Sequence, residues 1–290
     1  MNRMGAIGGT DTAAALGLSR YKSAHELWLE KTGQLEPKPP ANPELLEFGH
    51  EFEALIGRVY ARRTGYKIQR YAQETGVAHP KHPFLVGHID YRVVGQRRIA
   101  DCKNVNQMYF SRSPEWGEPG TDQVPTEIFL QMMTYLACLA YDLADVAVLV
   151  GGNNLNVYTV ERDDTLIGTI EDGLAEFWDL VQTRTPPALD YDHPGTLDLL
   201  TRKFKGSFGP SIEAPAALLP WVEVFEQSKA RAREADKVAD ACKARILEAM
   251  GGAATLRLPD GATYRRTLVE KAAYTVEAQS YVEMRRVKAK

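Results

Sequence analysis

Cysteine is scarce in this chain of 290 residues. The three present, Cys102, Cys138 and Cys242, lie far apart, which excludes a disulfide scaffold, a CxxC zinc site and a four-cysteine iron–sulfur cluster. Long apolar runs are missing as well: none approaches the roughly 18 residues needed to span a bilayer. The opening Met-Asn-Arg-Met-Gly-Ala-Ile-Gly-Gly-Thr-Asp lacks the apolar core of a secretion signal. There is no excess of charge of one sign either. Lys and Arg number 35 against 38 Asp and Glu, a formal net charge of −3, which excludes a wholly basic nucleic-acid coat. At 44% hydrophobic and 25% charged residues the composition is that of a globular domain, so a mostly disordered chain is excluded. The expectation is a soluble protein of the reducing cytoplasm, with no membrane partner.

What is present reads as a main body over 1–190 and a C-terminal extension over 191–290. Pro186-Pro187 and the turn-rich stretch Asp190 to Gly195 mark the boundary. Periodicity predicts helices around 10–16, 23–32, 43–64, 125–141 and 163–182, with strands at 84–94, 97–103, 144–150 and 155–161. The class is α/β. In the extension, 216–250 reads as one long helix stopping at Gly251-Gly252. Its narrow, Ala-rich seam, from Trp221 and Phe225 to Ile246 and Ala249, reads first as a core-packing stripe, with a helical hairpin or an oligomer contact as the open alternatives. A hairpin over 254–258 and 263–269 follows, then a tail with seven Lys/Arg and three Glu over 264–290.

The stretch Phe84 to Lys103 carries the chemistry. Two β-rich runs flank Gly95-Gln96, a two-residue hairpin turn. If Val94 pairs with Arg97, Asp90 faces Asp101, and Lys103 lies on the same side of the sheet two residues further on. Opposed carboxylates repel unless something positive sits between them. Lys103 supplies part of that charge and a divalent cation would supply more. Asp-(x10)-Asp-x-Lys on adjacent strands thus suits metal-assisted phosphodiester hydrolysis. Hard oxygens hold Mg²⁺, and the lysine can orient or deprotonate the attacking water or stabilise negative charge. On the hairpin alone, surface acids flanking a turn and a solvated strand lysine are the commoner reading.

Three further features add to it. The helix holding Glu47 to Glu53 continues as Arg58, Arg62, Arg63 and Lys67, and with Arg70 these fall within thirteen residues with no acid among them. Glu53 is a candidate third ligand there, and Arg58, Arg62 and Arg63 are a candidate DNA-binding face. Gln131 and Tyr135 are four residues apart on the helix after the hairpin and face one side, as substrate or water contacts or as a buried pair. Arg3 and Thr10 flank Gly5-Ala-Ile-Gly-Gly9, where free amides at a helix start suit a phosphate.

With these residues in view, the sequence resembles the YqaJ-like viral recombinase family, relatives of phage lambda exonuclease in the PD-(D/E)XK nuclease superfamily. The resemblance covers roughly residues 3–185. It rests on Ile7 to Asp11, Leu16 to Ser23, Glu26-Leu-Trp28, Lys31-Thr-Gly33, Gly49 to Glu53, His82-Pro-Phe84, Asp90, Asp101-Cys-Lys103, Trp116 to Asp122, Val124-Pro125, Gln131 and the strand pair Val146–Val160. It implies a restriction-endonuclease-like αβββαβ core, a central mixed sheet flanked by helices, with a helical C-terminal extension. It implies that Glu53, Asp90, Asp101 and the main-chain carbonyl of Cys102 bind Mg²⁺ or Mn²⁺, two ions per site, and that Lys103 positions the attacking water. Arg3 and Thr10 fall where the lambda enzyme grips a 5′-phosphate. The implied activity is 5′-to-3′ degradation of linear double-stranded DNA, leaving 3′ single strands for a single-strand annealing protein. A homo-oligomer, a trimer by family resemblance, and a phage or prophage origin in a bacterial host are implied too.

The chain departs from the family in places. Asp101 stands where Glu is usual, setting that carboxylate back by one methylene, about 1.5 Å. Thr10 replaces a serine and keeps the hydroxyl, and Met133 stands where the lambda enzyme has a second glutamine. Two alternatives stay open at this stage: a DNA-end-binding recombination scaffold without catalysis, and an endonuclease on the same core.

Overall fold

The computed structural model describes residues 5–40, 42–71, 76–206 and 209–270. The chain begins with β1 (Ile7–Gly8), a 3-10 turn at Gly9–Asp11, and α1 (Thr12–Ala15), α2 (Ala24–Lys31) and α3 (Pro43–Thr64). Five short or medium strands follow: β2 (Ile68–Arg70), β3 (Val77–Ala78), β4 (Leu85–Gly87), β5 (Tyr91–Val93) and β6 (Arg98–Val105). Then come α4 (Gln107–Arg112), α5 (Thr126–Leu139), β7 (Leu143–Val150), β8 (Asn154–Glu161), α6 (Asp164–Gln182) and α7 (Thr196–Lys203). The C-terminal part holds α8 (Leu219–Met250), β9 (Thr255–Arg257) and β10 (Thr263–Arg265). Two compact units result, Met1–Phe204 and Lys205–Lys290.

The first unit is a mixed α/β layer structure. Its main sheet has the order β2-β5-β6-β7-β8. β6 and β7 are parallel, joined across α5, and the other neighbours are antiparallel. Read along the chain, α3, β2, β5, β6, α5 and β7 realise the αβββαβ order. Strand alternation sorts the side chains into two cores. From β7, Ala144, Val146, Val148 and Val150 pack with α5 and α6, while Ala147 and Leu149 pack with Ile56 and Tyr60 of α3. The same alternation sends Ile99, Asp101 and Lys103 of β6 toward α5, and Ala100 and Cys102 toward α3.

Local signals set the long helices. Asn42 caps α3 by accepting from the Glu44 amide at 3.1 Å, Pro43 takes the first turn, and Gly65 ends the helix at φ 74°. A buried polar node then ties α3 to the sheet. Asp145 accepts from Tyr60 at 2.5 Å, Arg98 at 2.5 Å and Thr159 at 2.8 Å, so its charge is compensated inside the core.

Three expectations need correction. The strand predicted over 84–94 breaks at His88–Asp90: β4 joins β1 and β3 in a separate three-stranded sheet, and β5 joins the main one. The first unit runs on to Phe204 rather than stopping at 190, because α7 docks back onto it. Leu199 is fully buried, Arg202 pairs with Glu26, and His193 Nε2 contacts the Ser19 carbonyl at 3.0 Å. In the second unit, β9 and β10 pair antiparallel, but the seam of α8 does not pack as expected. Among α8 residues only Met250 is buried, and Trp221 is 72% exposed. The basic tail lies mostly outside the described residues.

Candidate active site

The hairpin register is the expected one. Tyr91 pairs with Ala100 and Arg92 with Ile99, which carries Asp90 opposite Asp101. The Cys102 amide donates to Asp90 Oδ2 at 2.7 Å. Asp101 is 2% exposed, and the Lys103 ammonium stands 2.6 Å from its Oδ2. Burial first, then the charge of Asp101, pushes the Asp90 carboxyl up to about 7, against the Cys102 amide and Lys103, which pull it down. Burial pulls Lys103 downward, but Asp101 outweighs it and the ammonium is held above its ordinary value. Lys103 is therefore a resident cation, suited to orienting water and stabilising negative charge rather than to taking a proton.

From α5, Gln131 Oε1 accepts from Lys103 at 3.2 Å and its Nε2 donates to the Tyr135 hydroxyl at 2.7 Å. Tyr135 is 3% exposed, and burial holds its hydroxyl well above the usual phenol range. Gly9 lies against its ring: a Cβ there would come within 2.3 Å of Tyr135 Cε1. Of the two readings open for Tyr135, a DNA or water contact or half of a buried pair with Gln131, the structure shows the pair, with Tyr135 orienting Gln131 at the cavity wall.

Glu53 approaches from the α3 layer. Its carboxylate is held by Arg70 at 2.8 Å and by His50 Nδ1 at 3.1 Å, and the Tyr91 hydroxyl donates to its main-chain carbonyl at 3.4 Å. Gly57, one turn on, sits over the Tyr91 ring with room for no side chain. Near β1, the Gly8 amide donates to Asp11 Oδ2 at 3.2 Å. That amide is therefore engaged by an acid, contrary to the free amide expected there. The Lys31 ammonium contacts the same Asp11 oxygen at 2.7 Å and the Ala6 carbonyl at 2.6 Å.

One cavity of about 470 Å³ gathers these groups: Thr10, Glu53, Asp90, Asp101, Cys102, Lys103, Gln131 and Tyr135 all line it. Lys31, Asp11, His50 and His88 line it too, and sequence reasoning gave them no role. Lys31-Thr-Gly33 was part of the family resemblance, yet only the docking of α2 against β1 brings its ammonium to the cavity. A larger hollow of about 650 Å³, around Asp122, Glu161 and Arg162, holds none of the paired acids. Arg3 lies outside the described residues. The expected basic face does not join the site. Arg58 and Arg62 sit about 140° and 180° around α3 from Glu53 and line no part of the cavity, and the Arg63 guanidinium donates to the Leu155 carbonyl.

The donor set suits a hard divalent cation. Two carboxylates share a buried wall with a single lysine between them, and the repulsion shows in the raised Asp90. Among the described residues no three His, Cys, Asp or Glu side chains stand close enough to enclose an ion as they are; Glu53 is turned to Arg70 and His50. No helix among the described residues is long and apolar enough to cross a membrane.

Comparison with known proteins agrees with the fold. Residues 1–142 match the family model of the YqaJ-like viral recombinase domain. The uncharacterized protein YqaJ of Bacillus subtilis (strain 168) is 34% identical over 193 residues, 66% of this chain and 58% of that protein. The chain thus spans little more than half the length of that relative. An alkaline exonuclease from Laribacter hongkongensis, LHK-Exo, superposes with a TM-score of 0.52 at 20% identity, covering 63% of this chain and 90% of its own. Its complex with dAMP gives the same values. At that identity the likeness is one of fold.

Proposed function

Because residues 1–142 carry a YqaJ-like viral recombinase domain, we propose that this chain is a metal-dependent deoxyribonuclease. It acts as a 5′-to-3′ exonuclease on linear double-stranded DNA and leaves 3′ single strands for an annealing protein in homologous recombination. The observation that carries the reading is the wall of Asp90, Asp101, Lys103 and Gln131 in a single cavity, with Asp90 and Lys103 both electrostatically coupled to Asp101.

Asp90, Asp101 and the Cys102 carbonyl would hold Mg²⁺ or Mn²⁺, with Glu53 as the further carboxylate and two ions as the full complement. A bound ion supplies a polarised phosphate and an ionised water at neutral pH. Lys103, fixed between Asp101 and Gln131, places its positive charge beside that water and beside the oxygen on which charge develops. Gln131, held by Tyr135, keeps the ammonium from collapsing wholly onto Asp101. Thr10, at the cavity mouth, and Arg3 would grip the terminal 5′-phosphate, and a ring of copies, a trimer by family resemblance, would keep the enzyme on its substrate.

The test uses linear duplex DNA labelled at one 3′ end, with 5′-phosphate or 5′-hydroxyl termini, beside a circular plasmid. Mg²⁺-dependent release of mononucleotides from the phosphorylated linear substrate is expected, abolished by EDTA and reduced at least about 100-fold by Lys103→Ala. Cutting of the circle would replace the exonuclease by an endonuclease. Binding to DNA ends without hydrolysis in Mg²⁺ or Mn²⁺ would leave a scaffold.

A further inference from the structure

We infer that Arg70 is a positioning residue that stands in for a cation at Glu53, holding the carboxylate when no divalent ion is bound and releasing it when one arrives. The inference rests on the metal-dependent reading above and adds to it a competitor built into the chain. Both carboxylate oxygens of Glu53 are taken, Oε2 by Arg70 at 2.8 Å and Oε1 by His50 at 3.1 Å. These two contacts hold Glu53 from the α3–β2 side, whereas Asp90 and Asp101 contact Cys102 and Lys103 on β6.

The mounting of Arg70 explains why it can do this. Arg70 pairs with Tyr91 across β2 and β5, so the two side chains share a face of the sheet. That face is the one under α3, where Tyr91 lies against Gly57. The next residue, Tyr71, donates its amide to the Asp90 carbonyl at 3.0 Å. Arg70 is thus anchored one ladder rung from Asp90 and reaches across to Glu53. The two partners differ in exposure: the Glu53 side chain is 13% exposed and that of Arg70 47%. When an ion draws Glu53 inward, the guanidinium has solvent to move into. Arginine keeps its charge at every working pH, so the exchange is one positive charge for another and not a titration. It also fits the carboxylates not closing on a common point as they stand.

The experiment is Mn²⁺ binding to the full chain by calorimetry, without DNA, with folding checked by circular dichroism. Arg70→Met should bind Mn²⁺ about three- to tenfold more tightly than wild type, since a competing, partly exposed ion pair is gone. Arg92→Met removes the same charge from the neighbouring rung, where the guanidinium donates to Gln69 at 2.6 and 3.1 Å; it should leave the Kd unchanged. In a Glu53→Gln background, Arg70→Met should make no difference, because its effect runs through that carboxylate. Arg70→Lys, which keeps the charge, should stay within about twofold of wild type. If Arg70→Met does not fold, Arg70→Gln carries the same expectation. Unchanged or weaker binding in the Arg70 variant overturns the inference and leaves the metal site standing, as does equal tightening in Arg92→Met or in the Glu53→Gln background. Absence of Mn²⁺ binding in wild type overturns the metal-dependent reading and the inference with it.

Discussion

Asp90 sits where two effects act in the same direction: burial disfavours its charge and Asp101 repels it, moving its carboxyl from 3.8 up to about 7. The folded chain therefore keeps a proton on Asp90 that the unfolded chain gives up near 4. Folded-state affinity for that proton means stability is greatest below the unfolded value and is lost as pH rises through about 7. Thermal melts of the metal-free protein should show this decline between about pH 4 and 7, and Asp90→Asn should flatten it. The same proton competes with a cation. Mn²⁺ affinity should rise about tenfold per pH unit below 7 and level off above it, with proton release visible in the buffer dependence of the binding heat. A flat profile would place the cation elsewhere.

At the scale of elements, the approach of α3 to β5 decides whether Glu53 reaches the site. Gly57 makes that approach possible, because a Cβ there would stand 2.7 Å from the Tyr91 ring. Gly57→Ala should push helix and strand apart, costing about 1–3 kcal/mol of stability by overpacking. It should also weaken Mn²⁺ binding as Glu53 and the Tyr91 contact shift. Urea unfolding and the Mn²⁺ titration read the two effects separately; a variant with wild-type stability and affinity would show that the helix has slack. The break at His88–Asp90 matters at this scale too. By ending β4 before β5 begins, it lets two sheets diverge and opens the cavity where Asp90 stands.

At the scale of the whole chain, the two units differ in how much they bury. The first holds the buried core and every site residue described; in the second, α8 buries only Met250. A chain ending at Gly206 should keep the cooperative melt of the first unit and its Mn²⁺ binding, whereas one ending at Asp190 should lose stability. The shorter chain would leave Leu199's pocket empty and Glu26 without Arg202. Equal melting of both truncated chains would show α7 to be dispensable.

Much of this was legible along the chain. Alternation and 3.6-residue periodicity located the long helices and every strand of the main sheet except β2, because each buries one face and local spacing records that face. The Gly95-Gln96 turn set a register, and a register fixes which side chains oppose one another, so Asp90, Asp101 and Lys103 could be grouped before any coordinates. Short elements were not legible: β1, β2 and β3 span two or three residues, too few for a period to appear. With them went Arg70, Lys31 and the two-sheet break, whose positions depend on pairing between segments far apart in sequence. Of the basic run after Glu53, Arg70 reaches Glu53 while Arg58 and Arg62 do not, for a related reason. The run's charge is a property of the sequence, but which side of α3 faces the cavity was decided by Ile56, Gly57 and Tyr60 packing on the sheet, and that turned Arg58 and Arg62 away. Sequence alone determined the chemistry on offer; tertiary packing decided which charges share a cavity, because long-range burial rather than local spacing selects the buried face.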